Sequence, residues 1–111
     1  MAFDEKLADK IRDQFKGKRH IAEKKMFGGL CFTVNGHMIC GVEKNNLVVR
    51  VGPDQYDWAL KQKHARPMDF TGRPLKGFVY VAPQGYRALS SLKKWLDLAT
   101  DFVRSLPSKL N

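Results

Sequence analysis

This chain of 111 residues has no long hydrophobic run, two cysteines in all and no low-complexity tract. Each shortage excludes something. A membrane-spanning helix needs ~20 consecutive apolar residues, and no stretch approaches that length. Two cysteines are too few for a disulfide framework, so a reducing, cytoplasmic location is expected. The amino terminus lacks the charged, apolar, small order of a secretory signal. Catalytic and cofactor motifs are missing too. Gly28-Gly29 leads into an extended segment, whereas a phosphate-cradling loop would open a helix. His20, His37 and His64 are far apart, with no HExxH and no paired carboxylates beside them. Zinc-ligand spacing, helix-turn-helix, zinc-finger and RNA-recognition signatures are absent. The expectation is a non-enzymatic protein with no cofactor and no metal.

What remains is the make-up of an ordinary globular protein, 43% apolar and 28% charged. A chain of this size can bury roughly two-thirds of its unfolded surface, so residues 1–111 are expected to form one domain. The net charge of +9 favours anionic partners such as nucleic acid or acidic protein surfaces. Its distribution dilutes that hint. Residues 1–27 and 79–111 carry +3 each, 53–78 carry +2 and 28–52 carry +1. The densest clusters are Lys16, Lys18, Arg19, Lys24, Lys25 and, separately, Lys61, Lys63, Arg66, Arg73, Lys76. A solvated basic surface that keeps the protein soluble accounts for them as well as a binding site does.

Asp4 is placed to cap a first helix with the stripe Leu7, Ala8, Ile11, Phe15, and Gly17 to stop it. From Ile21 the pattern is that of extended chain. Residues 21–27, 30–34, 37–42 and 47–51 read as strands, and their short connections force an antiparallel meander. Asn35-Gly36 is a two-residue hairpin turn of the type that needs positive φ at both positions. Glu43-Lys44-Asn45-Asn46 is the next turn, and Gly28-Gly29 reads as a bend or bulge. Asp54 is placed to cap a short helix containing Tyr56, Ala59 and Leu60. Residues 65–77 are broken by Pro67, Gly72, Pro74 and Gly77, yet Met68, Phe70 and Leu75 must pack, so an ordered loop is expected. Residues 78–81 form a fifth strand, 82–85 a turn, and a long final helix ends at Pro107. The fold class is α+β: two layers, a largely antiparallel five-stranded sheet with helices packed on it. The expected core joins Leu30, Phe32, Ile39, Val49, Val51 and Phe78 to Leu92, Trp95, Leu96, Ala99 and Phe102.

The turn register also sets Phe32 opposite Ile39 and Cys31 opposite Cys40, so the two thiols are expected to lie side by side across the hairpin. A redox role is conceivable there, but two small buried side chains explain the pair more simply. His37 flanks the turn and is read as exposed. The segment 66–77 is the best candidate for a functional surface. Arg66, Arg73 and Lys76 around Asp69 could hold a phosphate or carboxylate, since arginine presents a fork matched to such groups. Equally, Asp69 could pair with an arginine and pin the loop. Arg50, alternating with Val49 and Val51, could join an anion site, and Lys24 and Lys25 complete the candidate partner-binding set.

Several segments together resemble the amino-terminal domain family of TfoX, a regulator of competence for DNA uptake in some bacteria. They are Glu23-Lys24-Lys25-Met26-Phe27-Gly28-Gly29-Leu30, Val34-Asn35-Gly36, Met38 to Val42, Val49-Arg50-Val51-Gly52, Ala65-Arg66-Pro67-Met68-Asp69-Phe70-Thr71-Gly72-Arg73-Pro74, Gly77-Phe78-Val79-Tyr80-Val81 and Ser105-Leu106-Pro107. The resemblance implies a compact α+β domain and a transcriptional co-regulator acting with a DNA-binding partner protein. It supplies no catalytic residues. Three functions therefore compete: a regulatory adaptor that binds protein, a weakly specific nucleic-acid binder, and a small anionic-ligand site or enzyme on the 66–76 loop. A homodimer is compatible with the first; a membrane is not among the partners expected.

Overall fold

The computed structural model describes residues 3–26, 28–69 and 72–107. The expected end of the first strand at Phe27 and the packing of Phe70 lie outside them. Helix α1 spans Glu5–Phe15 and begins where expected: an Asp4 carboxylate oxygen accepts from the backbone N–H of Lys6 (2.9 Å) and Leu7 (3.2 Å). Strands β1 (Ile21–Met26), β2 (Gly29–Val34), β3 (His37–Glu43) and β4 (Asn46–Arg50) follow as a meander. Then come helix α2 (Tyr56–Leu60), strands β5 (Ala65–Pro67) and β6 (Phe78–Val81), a short helix α3 (Pro83–Tyr86) and the long helix α4 (Leu89–Arg104).

The sheet has six strands in the order β1-β2-β3-β4-β6-β5, and every pair is antiparallel. The additional strand is Ala65–Pro67, which pairs Ala65 with Val81 and Pro67 with Val79. Proline is tolerated there because β5 is an edge strand and needs no donor on its outer side. The opposite edge, β1, carries Glu23, Lys24 and Lys25, charges that discourage pairing with another chain. Residues 83–86 form a helical turn because Pro83 supplies a preset φ at its first position. Asp54 does not cap α2; that helix starts after Gln55 with no side-chain cap.

Asn35 (φ 52°) and Gly36 (φ 84°) both adopt the left-handed region that the hairpin requires. The register they set holds for two pairs, Val34 with His37 and Thr33 with Met38, and then slips. A bulge puts Phe32 opposite Cys40 and Cys31 opposite Gly41. The cysteines are therefore not cross-strand partners: Cys40 is in the core, and Cys31 lies on the other face beside Met38. The physical reason is legible in β3. An unbroken alternation that buries Ile39 would also point Glu43 into the core. The extra residue keeps Ile39 buried, brings Cys40 and Val42 inward and turns Glu43 out.

All four helices pack on one face of the sheet. The core joins Leu7, Ile11 and Phe15 of α1 and Leu92, Leu96 and Ala99 of α4 to the inward side chains of β2, β3, β4 and β6. Of the expected core residues, Phe78 and Phe102 are only half-buried. In β6 the inward positions are Val79 and Val81, which leaves Phe78 on the opposite face. Leu89, the first residue of α4, is 61% exposed. His37 is buried, not exposed; its Nε2 lies 2.5 Å from the Pro107 carbonyl, and its Nδ1 has no partner.

Candidate functional site

The helix-free face of the sheet carries the site. Alternation places Cys31 of β2, Met38 and Gly41 of β3, Val48 of β4 and Tyr80 of β6 on that side. The segment after β5 folds over them. The Leu75 N–H donates to the Met68 carbonyl (2.8 Å) and the Met68 N–H to the Phe78 carbonyl (3.4 Å), which anchors the segment to β6. Between segment and sheet lies a groove of about 230 Å³, with Met26, Cys31, Met38, Val48, Met68 and Leu75 in its lining. No helix contributes to that lining. Three of the chain's four methionines meet there. Met26 is 38% and Leu75 49% exposed, so the lip is apolar and open. Met68 and Leu75 of the expected loop pack here.

The polar wall consists of Arg73 and Glu43. Glu43 accepts a hydrogen bond from the Tyr80 hydroxyl. Burial and that bond together push the Tyr80 phenol up from its ordinary range. The Arg66 guanidinium lies over the Tyr80 ring, 4.9 Å from its centroid. Tyr80 is thus a hub that links β3, β5 and β6. In the sequence, a tyrosine in a β-rich run reads as core; the signal for its role is the carboxylate of Glu43 on the outward register.

The candidate cations separate. Arg66 rests on Tyr80 and Arg73 borders the groove. Lys24 stands directly across β1–β2 from Cys31, on the groove side, whereas Lys25 opposes Leu30 and projects to the other side. Arg50 sits between the Phe78 and Phe102 rings, 5.5 Å from each centroid, with its Nη1 3.5 Å from the Met38 carbonyl; burial there lowers its pKa. Lys76 is exposed. Asp69 pairs with no arginine: the ion pairs among the described residues are Arg12–Asp9, Arg12–Glu23 and Lys93–Asp97. Its backbone carbonyl accepts from the Gly72 N–H at 2.8 Å.

His20 precedes one edge strand and His64 the opposite one, so the histidines do not converge. Among the described residues no group of three His, Cys, Asp or Glu side chains could hold a metal. Both cysteines are free thiols. Burial raises both, Cys40 the more strongly, while Lys24 pulls Cys31 back down. Iodoacetamide should therefore label Cys31, at the groove, ahead of Cys40 in the native protein, and equal rates by peptide mass mapping would contradict this placement. A second, wider depression of about 590 Å³ beside α2 and α4 is lined by Trp58, Gln62, Lys94, Trp95 and Asp101.

An open antiparallel sheet, helices on one face and a small apolar groove on the other define a compact α+β domain. The family model of the TfoX N-terminal domain matches residues 13–103, and the chain belongs to that family. Searches of curated proteins and of solved structures gave no match. Among the described residues no helix is long and apolar enough to cross a membrane.

Proposed function

We infer that this domain is a regulatory or adaptor module that acts through a protein partner, with transcription control as its setting and the cytoplasm as its location. The observation that carries this reading is membership of the TfoX N-terminal domain family over residues 13–103. The separation of the cations supports it. Arg66 lies on an aromatic ring, Arg50 between two others and Arg73 beside an apolar groove, an arrangement unlike a cage for one small anion. The +9 charge accounts for weak, salt-sensitive attraction to any DNA without base readout.

The test compares the isolated domain's affinity for duplexes enriched from a random pool with that for scrambled duplexes, at about physiological salt. The expected ratio is near one. A ratio of roughly a thousand or more, the lower end for specific binders, would replace the adaptor reading by direct DNA recognition. A tagged pull-down from nuclease-treated native cells is expected to retain a protein partner, and loss of all binding proteins after nuclease would also count against it.

A further inference from the structure

We propose that the methionine-lined groove seats an acidic amphipathic helix of a partner protein. The proposal rests on the adaptor reading and gives it a surface. Its first support is the lining. Met26, Met38 and Met68 are unbranched, flexible and polarizable, so they can reshape around apolar side chains of different form. The volume of about 230 Å³ lies below the roughly 300–1,000 Å³ of small-molecule pockets. It suits one or two large side chains inserted from a segment that lies across the groove.

The second support is backbone accounting. Strands β2, β3 and β4 are interior, with neighbours on both sides. An extended segment laid over them would find no partners for its own N–H and C=O groups. A helix satisfies those groups internally and presents only side chains. The domain's own helices all lie on the other face, so a docked helix would give the sheet its second covering layer.

The third support is charge. Lys24 stands across from Cys31, Arg73 is in the wall and Arg66 lies next in line on Tyr80. The wall's carboxylate, Glu43, is already engaged by the Tyr80 hydroxyl. Asp or Glu side chains flanking the apolar residues of a helix would meet these cations. A second copy of this chain would instead set the same cations against each other, at +9 per chain.

The experiment follows the methionine methyl groups by NMR in the full chain, using selective ¹³C labelling. Three synthetic helical peptides of about 18 residues, or five turns, serve as probes. One carries Leu and Phe along a single face among Glu and Ala. The second replaces Glu by Lys. The third has the first peptide's composition in scrambled order. The acidic amphipathic peptide should shift the signals of Met26, Met38 and Met68 and bind at least about tenfold more tightly than the other two. Leu75→Glu and Arg73→Glu, both at exposed positions, should each weaken it by about tenfold or more without lowering the melting temperature. Unmoved methionine signals, equal binding of the three peptides, or full binding by Leu75→Glu would overturn the proposal. So would a random DNA duplex that displaces the peptide and shifts the same methyls, which would make nucleic acid the occupant. In the nuclease-treated pull-down, equal capture by the parent and Leu75→Glu would remove the groove and leave the adaptor reading. Capture by neither would remove the adaptor reading, and the peptide titration would still decide the groove.

Discussion

Phe32→Ala is expected to cost about 3–5 kcal/mol, the range for emptying a fully buried phenylalanine site. Phe32 is 1% exposed and sits at the centre of β2. Its ring meets Phe15 edge-on, with centroids 5.9 Å apart and planes at 61°, so it couples the sheet to the end of α1. Both rings come from regular elements whose backbones are fixed by their own hydrogen bonds, so the cavity cannot collapse cheaply. Small domains hold only about 5–15 kcal/mol in total, and a domain of this size melts ~4–8 °C lower for each kcal/mol lost. The melting temperature, read by circular dichroism, should therefore fall by more than ~10 °C. Phe78→Ala is the contrast. Phe78 is half-buried on the other face and rests against Arg50, so its loss should be distinctly milder. A Phe32→Ala protein melting within a few degrees of the parent, or the reverse ranking of the two, would show the assignment of faces to be wrong.

The sequence alone ranks those two phenylalanines equally, and the reason marks what is readable in a chain like this one. Local signals carried far. The Asp4 cap, the Asn35-Gly36 turn and the antiparallel meander each depend on residues within a few positions of one another, and each is present in the structure. Facing is different, because it is set by phase along a strand, and one inserted residue inverts it. The bulge in β3 separated the two cysteines that the turn register had paired. In β6 every residue is apolar or aromatic, so nothing in Phe78-Val79-Tyr80-Val81 says which pair faces inward; the pairing with β4 decides. Segment 65–77 looked irregular because its prolines and glycines are local breakers, yet three of its residues gain a strand from tertiary pairing with β6.

The candidate site was readable in the same uneven way. The 66–76 segment and the exposed cations of β1 stood out by composition, and Arg66, Arg73 and Lys24 do border or approach one groove. The groove itself was invisible. Met26, Met38 and Met68 are spread over 43 positions of chain, with no common spacing, and only the β1-β2-β3 order and the folded-back segment bring them together. Methionine also reads as generic core, so its presence does not mark a surface.

Gly52→Ala should produce the other large loss, by two separable routes. Gly52 has φ +85°, a conformation that an L side chain adopts only with strain of about 1–3 kcal/mol. It also sits against the Phe102 ring, and a methyl group would lie 2.6 Å from Phe102 Cε1. The ring cannot simply withdraw, because it packs against the core and against the Arg50 guanidinium that it shares with Phe78. Overpacking of this kind adds about 1–3 kcal/mol more. Gly17→Ala provides the reference. Gly17 has nearly the same φ, +83°, but nothing lies within 4 Å of the added carbon, so that variant bears the backbone strain alone. The excess of Gly52→Ala over Gly17→Ala in urea unfolding then measures the clash with Phe102. Adding Phe102→Leu should return part of that excess, because a smaller side chain relieves the contact, while the same change in the parent protein should only destabilise. Equal losses at the two glycines, or no rescue by Phe102→Leu, would mean that Phe102 does not rest on Gly52 and that the carboxy-terminal end of α4 is held to the sheet in some other way.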